Sequence, residues 1–293
     1  MLYQVREFFR ERAVLEVETP LLGQAPVTDP SIEPLSAAGR YLQTSPEYAM
    51  KRLLADGCGA IYQVCKAFRG GEAGKLHNPE FTLLEWYRPG FDQQQLMSEV
   101  RSLVELFLPD RPWSSVSYRQ LFLNQLNVDP WLASDGELET AARQALDVNF
   151  PEASRDQWLD LIMSHLLQPQ LATAGMVFVY DYPPSQAALA RVKQVQNVSV
   201  SERFELFADG VELANAYVEE TDHAEMAARF ERDNTVLESR SEPARPVDER
   251  LLAAMEAGLP ECAGVALGLD RLLLLSQGCA GIEDVISFDW KHA

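Results

Sequence analysis

Arg69, Glu72, Lys75, His77, Asn78 and Glu80 crowd into one short segment together with Gly70, Gly71 and Gly74. A guanidinium held at a fixed place offers a planar fork to a phosphate, and glycines let a backbone come close to a ligand. The flanks show how such a group would be held. Ile61 to Phe68 is an apolar, alternating run, and Phe81 to Tyr87 is a second. Together they predict two antiparallel strands joined by a long, functional tip. Arg69 falls where the first strand ends. Phe81 opens the return strand and can lay an aromatic face against a flat base.

A second pair of chemically capable residues, Glu212 and Glu219, follows the dipeptide Asp209-Gly210. Phe204 to Ala208 and Val211 to Ala216 alternate on either side of that dipeptide, a strong hairpin signal. The two glutamates are seven positions apart. On a straight strand that odd spacing puts them on opposite faces, so a shared site requires a bulge, a bend or a strand end between them. A third element is GVALGLDRLLLL, Gly264 to Leu275. It reads as a small-residue strand, a turn at Gly268 and an apolar helix with Arg271 in its first turn. In YLQTSPEYAMKRLLADG, Ser45 or Thr44 can cap a helix, with Pro46 and Glu47 in its first turn.

These positions need a scaffold, and the rest of the chain supplies one. Residues 1 to 12 place Leu2, Val5, Phe8 and Phe9 at helical spacing, and Val14 to Glu18 is a β-like run ended by Pro20. Gly23 to Gly39 reads as loop. Asp92 with Gln95 forms a capping box ahead of an apolar face made of Leu96, Val100, Leu103, Val104 and Phe107. Trp158, Leu161, Ile162 and His165 share one face of a later helix, where His165 is expected as an ordinary helix residue. Met176 to Tyr182 is a strand that runs into Pro183-Pro184. Asp222 caps another helix, with Met226, Phe230 and Leu237 on its apolar side.

With 293 residues, 47% of them hydrophobic, the chain can bury a substantial core. No apolar run reaches membrane-span length, and the charged start is unlike a secretory signal. Cys58, Cys65, Cys262 and Cys279 form no C-x-x-C pair, which fits reduced thiols in a cytoplasmic protein and argues against structural zinc. A net charge of −19 disfavours a polyanionic partner and suits a cationic small substrate.

FRGGEAGKLHNPEFTLLEWYRP resembles motif 2 of the class II aminoacyl-tRNA synthetases, in the lysyl form. Its extension HNPEFTLLEWYRPGFD is most similar to stand-alone paralogues of the lysyl enzyme, the elongation factor P β-lysine ligases. FFRERAVLEVETPLL resembles motif 1, the homodimer element of that family, and GVALGLDRLLLL resembles motif 3. TSPEY is similar to the amino-acid-binding segment. MVFVYDYPPSQAALA resembles a segment of the lysyl, aspartyl and asparaginyl branch, with a departure at Gln186-Ala187-Ala188.

The resemblance implies an α+β fold: a single class II catalytic domain over 1–293, with an antiparallel sheet flanked by helices, working as a homodimer. Motif 1 begins almost at Met1, so we expect no anticodon-binding domain, no anticodon reading of tRNA, and a start shorter than is usual for these ligases. The implied activity joins an amino acid to ATP as an acyl-adenylate and passes the acyl group to a lysine of elongation factor P. Arg69 would serve the α-phosphate, and Arg271 the γ-phosphate and the adenine. Gly70, Gly71, His77, Asn78, Phe81, Glu212, Leu213 and Gly268 would complete the ATP site, with Mg²⁺ on Glu212 and Glu219. Ser45, Pro46, Glu47, Tyr87 and Glu219 would bind β-lysine or lysine, the acids selecting its amines.

Two departures bear on this reading. The lysyl motif 2 runs Arg-x-Glu, whereas here Arg69-Gly70-Gly71-Glu72 moves the carboxylate one place along. Either the Gly71 backbone replaces it or the loop shifts to bring Glu72 in. Ala266 stands where lysyl enzymes carry glycine, and the extra methyl suits an amine displaced to the β carbon. A lysyl-tRNA synthetase-type enzyme, an amide-forming relative and a catalytically silent regulatory paralogue stay open as alternatives.

Overall fold

The structure is a computed structural model that describes residues 1–146, 153–195 and 197–293. The chain forms two compact units, Met1–Pro109 with Val218–Ala293, and Asp110–Tyr217.

In the first unit the two expected strands are Ile61–Phe68 and Glu80–Pro89. They pair antiparallel from Ile61 opposite Tyr87 to Phe68 opposite Glu80. Cys262–Gly268 adds antiparallel to the return strand, with Ala266 opposite Glu85 and Gly264 opposite Tyr87. The β-like run after the first helix narrows to Leu15–Glu16, which pairs parallel with Ile61 and Tyr62. Leu83 to Tyr87 are all buried, so this return strand is covered on both faces. Alternation is lost in such a strand because neither face meets water.

Helices cover the sheet as their apolar spacing demands. Leu2–Arg10 buries Val5, Phe8 and Phe9 but leaves Leu2 exposed. Gln93–Val104 carries the Asp92–Gln95 capping box and buries Leu96, Val100, Leu103 and Val104. His223–Ser239 is capped by Asp222, which accepts from the Ala224 and Glu225 N–H groups. The helix expected from Ser45 begins one residue later than its first-turn proline suggested: it spans Glu47–Ala55, with Pro46 at the N-cap. Pro46 has no side-chain acceptor for the first turn, and the Ser45 hydroxyl accepts from Glu47 N–H instead, at 3.0 Å.

The second unit pairs Trp113–Ser117 with Met176–Tyr182 in parallel, and Met176–Tyr182 antiparallel with Val198–Ala208. Val198–Ala208 and Val211–Val218 form the expected hairpin. Its turn residues Asp209 and Gly210 have φ of 49° and 79°, the left-handed pair that such a tight turn requires. Tyr118, Phe122, Trp158, Ile162 and Phe207 centre its core. His165 lies outside that core, exposed and beside Ser164 Oγ. The architecture is the expected α+β type, and among the described residues no helix is long and apolar enough to cross a membrane.

Candidate active site

The first unit gathers three carboxylates, two of which hold one ammonium between them. Glu47 and Lys51 are one turn apart on Glu47–Ala55, and Lys51 Nζ lies 2.7 Å from Glu47 Oε1. The same Nζ is 2.6 Å from Glu219 Oε2, and both Lys51 and Glu219 are withdrawn from solvent. Glu219 reaches this place because its N–H donates to Cys262 O at 2.9 Å, at the edge of the Cys262–Gly268 strand. The third acid, Glu85, projects from the buried return strand. It accepts from Ser45 Oγ and from the Tyr87 hydroxyl, each at 2.7 Å. Gly264 is what lets these groups meet. A Cβ there would lie 2.7 Å from Glu219 Oε1 and closer still to the Tyr87 ring.

Burial dominates the electrostatics of this recess. It pushes the Glu85 carboxyl up to about 8, helped by the nearby Glu47, while the bonds from Ser45 and Tyr87 pull the other way. Burial likewise lifts Glu219 to about 7, with Lys51 opposing it and Glu47 adding to it. For Lys51 burial alone would favour the neutral amine. Glu219 and Glu47 outweigh it, and the net direction is up, toward a firmly charged ammonium. The –NH₃⁺ group that this acidic, dry recess holds is that of Lys51.

At the mouth of the hairpin the guanidinium of Arg69 lies 5.2 Å from the Phe81 ring centre and 3.9 Å from Glu72 Oε1, and its Nε donates to Thr44 O at 3.4 Å. Arg271, in the first turn of Leu269–Gln277, donates through Nε to Leu76 O at 3.2 Å. Its Nη2 lies 2.6 Å from His77 Nε2. Burial and then Arg271 hold the His77 ring below its usual range, which keeps it neutral and able to accept from the arginine. Asn78 is occupied structurally: its amide donates to Glu80 O at 2.6 Å, and its oxygen accepts from Trp290 N–H at 2.8 Å.

The altered motif 2 has a local explanation. Gly70 N–H donates to Glu33 O at 2.8 Å, and the Glu33 side chain lies against both glycines. A Cβ at 70 would sit 2.7 Å from Glu33 Cδ, so no larger residue fits there without moving it. Gly71 takes φ of 71°. Gly268 is different: it has ordinary φ, and a Cβ there would meet only the Arg271 side chain at 3.8 Å. The protein's own packing therefore leaves space at 268, at the end of the Cys262–Gly268 strand.

Glu212 and Leu213 belong to the second unit. Leu206 pairs with Ala214 while Phe207 pairs with Glu212, so Leu213 is an inserted bulge residue, and its side chain is buried. The bulge falls between Glu212 and Glu219, and Glu219 lies just past the end of Val211–Val218. The odd spacing therefore no longer forces the two acids onto opposite faces.

The structure thus brings Ser45, Glu47, Tyr87 and Glu219 together, and separately joins His77 to Arg271. Sequence reasoning missed Lys51 and Glu85. The i,i+4 spacing from Glu47 was the available signal for Lys51. Glu85 sits in an unbroken buried run, where alternation gives none.

A family model described as tRNA synthetases class II (D, K and N) matches residues 1–291. Proteins named elongation factor P–(R)-β-lysine ligase from Salmonella typhi, Salmonella dublin and Salmonella arizonae are each 44% identical over 303 aligned positions, covering 99% of this chain and 93% of the relative. The chain belongs to the class II tRNA synthetase family of the D, K and N type.

Proposed function

We propose that this protein uses ATP to activate (R)-β-lysine and transfers the acyl group to a lysine ε-amine of elongation factor P. The observation that carries the reading is the buried recess of Glu47, Glu85 and Glu219, which holds an ammonium in the protein's own fold. A substrate with amines at the β and ε positions presents the groups such a recess takes. Ala266, opposite Glu85 on the neighbouring strand, puts a methyl beside that acid and favours the β-amino isomer. The likeness to ligases of that name supports the same acceptor.

In the first step the substrate carboxylate oxygen bonds to the α-phosphorus of ATP and pyrophosphate leaves. Two anions meet there, so positioned cations carry the catalysis. Arg69 supplies a half-buried guanidinium braced by Phe81 and Thr44, for the α-phosphate. Arg271, oriented by Leu76 O and neutral His77, serves the γ-phosphate. Gly70, Gly71, Phe81 and Gly268 line the nucleotide, while Asn78 holds the loop to Trp290. In the second step the acceptor amine attacks the adenylate carbonyl and AMP leaves.

For the metal we assign Mg²⁺ to Glu212, with Leu213 contributing backbone only, and place Glu219 on the amine. Among the described residues no cluster of three or more His, Cys, Asp and Glu side chains could hold a metal alone. The Glu212 carboxylate is the oxygen donor that magnesium takes, which needs one or two carboxylates when phosphates supply the other oxygens, and a bound ion would there neutralise phosphate charge. We also place the protein in the cytoplasm, as one catalytic domain acting as a homodimer through the face that exposes Leu2, Tyr3 and Leu15.

ATP–pyrophosphate exchange with (R)-β-lysine, lysine and asparagine tests the reading. Exchange led by (R)-β-lysine is the expected result. Exchange with none of the three would overturn it.

A further inference from the structure

Lys51 has been given no part in the reaction above, yet its charge is among the most deeply buried in the first unit. Its side chain is 1% exposed, and its ammonium lies 2.7 Å from one carboxylate on its own helix and 2.6 Å from another that is far along the chain. Lysine is seldom buried this completely without a task, because removing its charge from water is costly. The groups facing the recess are Glu47 and Tyr48 from its own helix, Glu85 and Tyr87 from the return strand, Cys262 from the strand beyond, and Glu219. Lys51 is the one cation among them.

We infer that Lys51 is a positioning residue for amine recognition: its ammonium ties Glu47 to Glu219 and sets the gap and the charge that the substrate amine meets. Lys51 pulls the Glu219 carboxyl down against the burial that lifts it, so without this cation Glu219 would be driven further toward the neutral acid. The ammonium of Lys51 is held between Glu47 and Glu219 on a side chain that is 1% exposed, so it is not free to be acylated. It acts through Glu47 and Glu219.

This inference rests on the amino-acid-activating reading, and the experiment separates the two. Full-length wild type, Lys51→Met and Lys51→Arg are compared by ATP–pyrophosphate exchange, with (R)-β-lysine and ATP titrated in turn across pH 6 to 9 and thermal melts recorded in parallel. The expected result for Lys51→Met is a rise of about tenfold or more in amino-acid KM, the scale of one charge-assisted bond, with ATP KM nearly unchanged. The acid limb of kcat/KM should move to higher pH, since removing the cation raises the carboxylates around it. Lys51→Arg, which keeps the charge, should bring that limb back toward wild type even if KM stays raised. A purely structural lysine would instead lower the melting temperature and raise both KM values together, and that outcome overturns the inference. So does an unchanged amino-acid KM. If Lys51→Met does not fold, Lys51→Arg decides alone: a selective change in amino-acid KM supports the inference, and equal changes for both substrates refute it. Absence of exchange in wild type would sink the functional reading itself, and this inference with it.

Discussion

Gly264→Ala adds one methyl at the place where the recess is tightest. The new Cβ would stand 2.7 Å from Glu219 Oε1, with the Tyr87 ring nearer still. Ordinary contact needs roughly another ångström, so the ring and the carboxylate must both retreat by about that much or the strand must bend. The neighbours are rigid. Tyr87 is pinned through its hydroxyl to Glu85, and Glu219 is pinned to Lys51. Overpacking of this kind costs about 1–3 kcal/mol of stability. A misplacement of about 1 Å in a positioning group costs on the order of 100-fold in rate. The variant should therefore fold with a melting temperature several degrees lower, since about 1 kcal/mol shifts a domain of this size by roughly 2–4 °C. Its kcat/KM for (R)-β-lysine in pyrophosphate exchange should fall by about two orders of magnitude. Titration of ATP provides the internal control, because Arg69 and Arg271 lie at the hairpin mouth and not in the recess. Gly264→Ala with wild-type melting and wild-type amino-acid KM would refute the geometry of the site.

Gly268→Ala makes the opposite pattern: its Cβ meets only a flexible arginine stem, so stability should hold within about 0.5 kcal/mol while ATP KM rises in exchange assays. Glu85 gives a pH signature. Its carboxyl is raised to about 8 in the fold against an ordinary 4.5, so its contribution to stability is complete below pH 4.5 and is lost as pH climbs through 8. Glu85→Gln should flatten the fall in melting temperature between pH 5 and 8, where one proton accounts for at most about 1.4 kcal/mol per pH unit. Arg271→Lys keeps a charge but loses the fork that bridges Leu76 O and His77, and exchange should drop about 100-fold with melting little changed.

Much of the fold was legible because its signals are local. The strand Ile61–Phe68, the Asp209-Gly210 turn and the Asp92–Gln95 capping box each depend on residues a few positions apart, and each stands as read. The spacing of Glu212 and Glu219 posed a geometric condition, an irregularity between them, and the bulge at Leu213 is such an irregularity. What escaped depends on long-range packing. A lysine on an amphipathic helix looks like a surface residue until Glu219, which follows it by 168 positions, is folded against it. Glu85 was hidden in a strand whose two faces are both covered. The segment Gly23 to Gly39 read as plain loop, yet Glu33 within it pairs with Gly70 and fills the room beside the two glycines of motif 2. No spacing within that segment could have shown this, because the partner lies on a hairpin formed later in the chain.

The most direct measurement follows the label. Purified protein, ATP and radiolabelled (R)-β-lysine are incubated with elongation factor P and, in parallel, with tRNA, and the acceptor that carries the label is identified together with the AMP released. The account predicts label on elongation factor P in a bond stable to mild alkali, as an amide on a lysine side chain should be, with AMP in equal amount. Label on tRNA, or AMP released with no acyl group on elongation factor P, would contradict it.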